Sequence, residues 1–113
     1  MASLRARRAP PPQHGDVWWL EDEGIGRRPV VILTRDSAIP VLSLLVVAPI
    51  TRTIRAIPSE IELDESDGMP QPCAATLDNI RTISKSLLTQ RITTLTALKR
   101  AQLCAAIDFA LDC

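Results

Sequence analysis

The chain has 113 residues, which is the size of one small domain. Hydrophobic residues make up 46% of the sequence and charged residues 23%, so a packed core is feasible and global disorder is disfavoured. Thirteen basic residues balance thirteen acidic ones, and at first sight a net charge of zero argues against a nucleic-acid partner. Three cysteines without a CxxC pair exclude a complete intrachain disulfide framework and disfavour a zinc finger.

No targeting or membrane-spanning segment is apparent in the sequence. The N-terminal stretch is basic, but no apolar region of a secretory signal follows it. The longest apolar run, residues 41–50, is interrupted by Ser43 and Pro49 and is too short to span a bilayer. We therefore expect a cytoplasmic protein with reduced thiols and no membrane partner.

The zero net charge is a sum of blocks of opposite sign. Residues 15–26 and 56–68 are acidic, whereas residues 27–55 carry five arginines against one aspartate. Eleven of the thirteen basic residues are arginine, which suits bidentate contacts to phosphate and stacking on bases. Arginine is also common in proteins from GC-rich genomes. The middle of the chain is therefore basic enough to contact an anionic partner, although composition alone leaves both explanations open.

Residues 1–14 contain three arginines and three consecutive prolines, and we expect a flexible basic tail. Short strands are predicted after it, with loops at residues 21–26 and 64–72 and a helical turn within residues 84–89. Pro29 is expected to open the second strand, and Pro49 is expected to close the third. The predicted strands are residues 15–20, 29–33, 41–48, 59–63, 73–77, 80–83 and 91–95.

The end of the chain changes to a helical pattern. Thr96 is a suitable N-cap for a helix over residues 97–111. Leu103 lies on one side of this helix, and Leu98 and Phe109 lie nearly opposite, so the helix has two apolar sides. A homodimer partner would cover the second side, although a high alanine content makes any helix apolar. Close-spaced strands and one terminal helix predict a small, strongly bent antiparallel barrel.

Most common catalytic arrangements are excluded by residue type. His14 is the single histidine and lies in the predicted tail, which argues against a Ser-His-Asp triad or a Cys-His pair. The sequence has no HExxH motif, no Walker A loop and no GxGxxG motif. Most carboxylates fall in predicted loops, without spacing that supports a metal site. Chemistry on an anionic substrate would therefore rest on arginine, threonine and a single carboxylate.

Four short motifs carry a resemblance to a known family. They are Gly-Asp-Val-Trp at residues 15–18, Arg-Pro-Val-Val-Ile-Leu at 28–33, Val-Ala-Pro-Ile-Thr at 47–51 and Leu-Asp-Asn-Ile-Arg-Thr-Ile at 77–83. In this order and spacing, the chain resembles the MazF/PemK (Kid) family of toxin endoribonucleases over residues 15–113. The resemblance implies a mainly β fold, an SH3-like antiparallel barrel of the CcdB/Kid toxin type with a C-terminal α-helix. It also implies a homodimer.

The activity that the resemblance implies is that of a toxin in a type II toxin–antitoxin system. Members of the family cleave single-stranded RNA at specific short sequences, without a metal ion or other cofactor, and thereby inhibit translation and growth. The 2′-hydroxyl attacks the adjacent phosphorus and gives a 2′,3′-cyclic phosphate or 3′-phosphate with a 5′-hydroxyl. A cognate MazE-like antitoxin inserts a disordered segment into the RNA groove and blocks it.

The resemblance also implies roles for particular residues. The catalytic arginine maps onto Arg28 and the catalytic threonine onto Thr51. Arginine is effectively always protonated, so Arg28 is suited to charge stabilisation and unsuited to act as a general base. Glu23 is a candidate for the base or for an orienting group, and a solvated loop carboxylate is the alternative. The expected RNA-binding residues are Arg27, Arg52, Thr53, Arg55, Asn79 and Arg81.

Two points remain open from the sequence. The first loop, residues 21–27, is shorter than in many relatives, so the RNA sequence that is cleaved cannot be transferred. One tryptophan of the pair Trp18 and Trp19 is expected in the core, while the other could stack on a base.

The alternative functions are a CcdB-like toxin that poisons gyrase and a non-catalytic SH3-like binding module.

Overall fold

The computed structural model describes residues 11–24 and 26–111. Within these residues the chain forms a mainly β, antiparallel fold with a C-terminal helix, as predicted. Residues 1–10 of the predicted tail lie outside the described part. The strands are β1 (Asp16–Asp22), β2 (Gly26–Ile32), β3 (Leu44–Thr51), β4 (Glu60–Leu63), β5 (Cys73–Thr76), β6 (Arg81–Ser84) and β7 (Leu88–Thr94), and the helix α1 is Ala97–Ala110.

Strand β3 is the centre of the sheet, because it pairs with three other strands. One edge pairs with β2. The other edge pairs with β6 along its first half and with β5 at its last two residues, Ile50 and Thr51. The strand order is β4-β5-β3-β2-β1-β7, with β6 beside β3. A strand that changes partners along one edge bends the sheet, and the result is a curled half-barrel.

The core lies on both faces of this curled sheet. Val31 belongs to a cluster that includes Leu63, Leu77 and Leu103 of the helix. Its neighbours Val30 and Ile32 belong to a second cluster on the opposite face, with Trp18 among its members. These three residues of β2 are at most 2% exposed, which confirms the predicted burial of this apolar run on both faces.

Two predicted strand boundaries at prolines are wrong. Pro29 lies inside β2, paired with Trp19 of β1, and Pro49 lies inside β3, paired with Val30. Proline lacks one hydrogen-bond donor, but its fixed φ is compatible with extended backbone, so pairing on either side carries the strand through it. Strand β3 also begins later than predicted, since Val41 lies in a short 3₁₀ turn and is 81% exposed.

The loop predicted at residues 21–26 is too long, because three of its six residues, Glu21, Asp22 and Gly26, are paired. Glu21 lies opposite Arg27, and Asp22 lies opposite Gly26, so that β1 and β2 form a tight hairpin. Gly26 has a φ of 91°, which favours glycine at the end of the turn. The polar composition of this segment reflects solvent exposure of the hairpin end and not a lack of strand pairing.

Helix α1 begins at the predicted N-cap. The Thr96 hydroxyl accepts a hydrogen bond from the backbone N–H of Lys99 at 3.2 Å. Leu103 and Ala106 are buried against the sheet, while Leu98 and Phe109 are 68% and 58% exposed. The second apolar side predicted from the sequence is therefore uncovered in the single chain. Among the described residues, no helix has the length and hydropathy needed to cross a bilayer.

Asp16, at the start of β1, connects three neighbouring segments of the chain through hydrogen bonds. It is fully buried, and its carboxylate accepts hydrogen bonds from the backbone N–H of Gln13, the indole N–H of Trp18 and the hydroxyl of Thr94. We expect Asp16→Ala to lower the free energy of unfolding by about 3 kcal/mol, because each buried donor loses its acceptor. Urea denaturation measures this loss.

The matched control is Asp36→Ala. Asp36 is exposed and accepts one hydrogen bond, from the backbone N–H of His14 at 2.7 Å. Its removal should change the free energy of unfolding by about 0.5 kcal/mol or less. Equal losses in the two variants would contradict a structural role specific to Asp16.

Candidate active site

A groove of about 880 Å³ crosses one end of the curled sheet. Its walls come from the β1–β2 hairpin, the end of β3, the start of β6 and the loop between β4 and β5. The described residues that line it include no carboxylate and no imidazole. Its charged residues are all arginines: Arg27, Arg28, Arg52 and Arg81. The groove therefore has a positive potential even though the chain has no net charge.

Arg28 and Thr51 lie on neighbouring strands and line the same groove. The pairing of β2 with β3 ends at Val30 and Pro49. Arg28 lies two residues before Val30, and Thr51 lies two residues after Pro49. A guanidinium and a hydroxyl are therefore both present in the groove just beyond the end of the β2–β3 pairing.

The hydrogen bonding of these two side chains leaves them available to a ligand. The Thr51 oxygen accepts a hydrogen bond from the backbone N–H of Thr53 at 3.1 Å. A hydroxyl that accepts in this way keeps its own proton for donation to a further group. Arg28 is exposed, and no carboxylate in the described part of the chain lies within 4.0 Å of its guanidinium. Its charge is therefore not neutralised by an ion pair.

A second arginine of β2, Arg27, contacts two neighbouring side chains. The Arg27 guanidinium lies over the ring of Trp19, 4.2 Å from its centroid, and its Nε is 3.7 Å from Oε2 of Glu21. Glu21 is directly opposite Arg27 in the β1–β2 register, and Trp19 is the diagonal neighbour. Trp18 is buried in the core, whereas Trp19 is half-buried and lines the groove.

The loop between β4 and β5 forms the far wall, and sequence reasoning missed it. Thr93 of β7 donates a hydrogen bond to the backbone carbonyl of Asp67 at 2.8 Å, which fixes the loop to the barrel. Gly68 has a φ of 91°, and a Cβ at this position would collide with Thr93. This attachment carries Met69, Pro70 and Gln71 to the groove. Their proline-rich sequence predicts a loop but contains no signal for which surface the loop covers.

Cys73 lines the groove as well, but its thiol is not poised as a nucleophile. The side chain is buried, and burial is the main cause that raises its pKa. The carboxylates of Asp67, Asp64 and Glu65 raise the pKa further. A thiol with a raised pKa stays protonated near neutral pH and is a poor nucleophile.

The remaining predicted site residues lie outside the groove lining. Glu23 is exposed in the turn of the β1–β2 hairpin, and Asn79 is exposed at the end of a 3₁₀ turn before β6. Thr53 follows the end of β3, where its amide binds Thr51. Arg55 forms a 3.7 Å ion pair with the buried Glu60, which also accepts the Arg55 backbone N–H at 2.9 Å. Of the predicted set, Arg27, Arg28, Thr51, Arg52 and Arg81 are brought together.

The described part of the chain also contains no group of three His, Cys, Asp or Glu side chains arranged to hold a metal ion. His14 lies away from the groove lining, where its backbone N–H binds Asp36 and its Nδ1 is 3.1 Å from the Leu33 carbonyl. The polar and aromatic groups that line the groove are therefore guanidinium, hydroxyl, amide and indole groups, together with the protonated thiol of Cys73.

The sequence and fold match known proteins over nearly the whole described chain. Residues 13–111 match the family model of the PemK-like, MazF-like toxins of type II toxin–antitoxin systems. The chain belongs to this family. One curated relative, the probable endoribonuclease MazF5 of Mycobacterium tuberculosis, is 44% identical over 103 residues, which cover 90% of this chain and 94% of the relative.

Solved structures agree with the assignment to the MazF-like toxins. The M. tuberculosis toxin MazF-mt6 superposes with a TM-score of 0.78 at 35% identity, covering 86% of this chain and 96% of that one. A mycobacterial endoribonuclease in complex with its cognate antitoxin superposes with a TM-score of 0.79 at 26% identity, covering 88% and 94%. The predicted family, its barrel fold and the class of endoribonuclease toxin are thereby confirmed.

Proposed function

We propose that this MazF-like toxin cleaves single-stranded RNA in the arginine-lined groove, without a metal ion. The observation that carries the proposal is the presence of both Arg28 and Thr51 in a groove whose charged side chains are all arginines. Such a groove attracts the phosphate backbone by charge. Of the predicted RNA-binding residues, Arg27, Arg52 and Arg81 line the groove, whereas Thr53, Arg55 and Asn79 are supported by the resemblance alone.

The reaction is an internal phosphoryl transfer. The 2′-hydroxyl of the nucleotide before the cleaved bond loses its proton and forms a bond to phosphorus, and the bond from phosphorus to the 5′-oxygen breaks. The leaving 5′-oxygen takes up a proton from solvent water, so the products are a 2′,3′-cyclic phosphate and a 5′-hydroxyl. Negative charge increases on the non-bridging oxygens in the transition state, and the unpaired guanidinium of Arg28 stabilises it.

Thr51 and Arg28 also donate hydrogen bonds to oxygens of the reacting phosphate. The Thr51 hydroxyl accepts from Thr53 and donates its own proton to a phosphoryl oxygen. Arg28 also donates a hydrogen bond to the leaving 5′-oxygen. Glu23, as the base that takes the 2′-hydroxyl proton, is supported by the resemblance alone.

The proposal includes a homodimer that a cognate antitoxin inhibits in the cytoplasm. Leu98 and Phe109 are each more than half exposed on the helix, on an apolar side that a second copy would cover. A related endoribonuclease has been solved with its cognate antitoxin. A disordered antitoxin segment that occupied the arginine-lined groove would exclude RNA from it.

An RNA cleavage assay in excess EDTA tests the reaction. We expect purified protein to cut a long single-stranded RNA at a short recurrent sequence, at an undiminished rate after chelation, because no step needs a metal. Sequencing of the cleaved ends identifies the sequence that is cut. Cleavage that returns only on addition of Mg²⁺ would contradict the metal-free reaction. Intact RNA together with inhibited gyrase would favour the CcdB-like alternative.

A further inference from the structure

The pair Trp19 and Arg27, together with Glu21, is here called the stacking triad. Its three side chains follow one another along the face of the β1–β2 hairpin that borders the groove. Glu21 contacts the Arg27 guanidinium at 3.7 Å, and that guanidinium covers the Trp19 ring at 4.2 Å. The guanidinium therefore lies between a carboxylate and an indole.

The accessible surface of the triad matches a flat aromatic ligand. The Arg27 side chain is 51% exposed although the Trp19 ring lies beneath it, so part of the guanidinium faces the groove. Unpaired nucleobases stack on guanidinium planes and on aromatic side chains in single-stranded RNA recognition. Trp19 lines the groove itself, so a base that displaced Arg27 would meet a second stacking surface.

Arg27 differs from the other three arginines of the groove in having a carboxylate nearby. Glu21 partly neutralises Arg27, whereas Arg28, Arg52 and Arg81 have no carboxylate within 4.0 Å among the described residues. A phosphate is attracted most strongly to the uncompensated charges. The compensated guanidinium is correspondingly better suited to a neutral, polarisable ring.

We propose that the stacking triad is a platform for one unpaired nucleobase of the RNA, beside the arginines that bind its phosphates. This inference rests on the proposed function, because the ligand of the groove must be RNA. It assigns Trp19 and Glu21 to substrate recognition, and it makes Arg27 a base contact and not a phosphate contact.

Binding of uncleavable oligonucleotides tests the platform. The probe is the cleaved sequence with a 2′-deoxy sugar before the cut, prepared as a series in which each base in turn is removed. Fluorescence anisotropy gives the Kd of each probe for the full chain. For the wild type, loss of the stacked base should weaken binding roughly 5- to 100-fold at one position. In Trp19→Leu, this penalty should disappear at that position and persist at the others.

Three further variants test whether the effect of Trp19→Leu is purely structural. Glu21→Gln leaves Trp19 in place and frees Arg27, so the penalty at the same position should shrink while the melting temperature stays unchanged. Arg52→Ala removes a charge elsewhere in the groove and should weaken all probes by a similar factor. Trp19→Phe should retain a reduced penalty at the stacked position, since phenylalanine offers a smaller ring.

Tryptophan emission provides an independent readout. The wild type should show quenching when the probe binds, because a base stacks near Trp19, and Trp19→Phe should show none because Trp18 is buried. Equal base-removal penalties in the wild type and Trp19→Leu would overturn the platform while leaving RNA cleavage in place. A wild type that neither binds nor cleaves RNA would overturn the proposed function and the platform together.

Discussion

Replacing Arg28 with alanine is expected to lower kcat for RNA cleavage roughly 100- to 1,000-fold, the loss typical of one preorganised charge-stabilising donor. Arg28 lines the same groove as Thr51 and has no ion-pair partner among the described residues, so its charge is available to the phosphate. Single-turnover cleavage of a defined RNA measures the loss. Arg28→Lys keeps the charge but loses the planar, two-pronged donor, and should recover activity only in part.

The control for Arg28 is Arg35→Ala, which removes the same charge from an exposed turn outside the groove. Its cleavage rate should equal that of the wild type. Binding of the uncleavable probe separates chemistry from affinity, because Arg28→Ala should lose far more in kcat than in binding. Equal activity of Arg28→Ala and Arg35→Ala would remove the arginine from the mechanism.

Removing one oxygen from the substrate should have a larger effect than any single substitution in the protein. A 2′-deoxy sugar at the nucleotide before the cut eliminates the nucleophile, and we expect no detectable cleavage of that bond. The oligonucleotide should still bind the arginine-lined groove, since its phosphates are unchanged. The measurement is gel analysis of an end-labelled oligonucleotide after the cleavage sequence has been mapped.

The control is the same 2′-deoxy modification at a neighbouring nucleotide. A 2′-deoxy sugar one nucleotide away from the cut removes the same atom without touching the reacting hydroxyl, and cleavage should persist. Cutting at the 2′-deoxy nucleotide would show that water attacks phosphorus directly. The internal transfer would then be wrong, although binding of RNA in the groove would stand.

Arg28 and Thr51 show how much of the candidate site can be predicted from the sequence. Both residues stand in motifs that mark the family, and both were identified without a structure. Their presence in one groove depends on the β2–β3 register, since the last pair of that register, Val30 and Pro49, lies two residues from each of them. Local sequence does not fix such a register, because it results from burial of Val30 and Val31 on opposite faces.

The basic segment after Thr51 shows where sequence proximity is misleading. Arg52 and Arg55 are three residues apart, and both were predicted to bind RNA. Arg52 lines the groove, whereas Arg55 is paired with the buried carboxylate of Glu60. The sequence contains both charges but not the ion pair, since Glu60 is brought to Arg55 only when β4 joins the sheet. Asn79 and Glu23 are likewise outside the groove lining.

The sequence by itself determined the class of fold, the family and the residues that can perform the chemistry. Strand-length apolar runs, a capped terminal helix and four motifs are local patterns, and local patterns can be recognised in the sequence without a structure. Tertiary structure decided that Trp19 and not Trp18 borders the groove, and that the loop carrying Met69 and Gln71 forms its far wall. These facts depend on which distant surfaces pack together, and packing is a property of the whole chain.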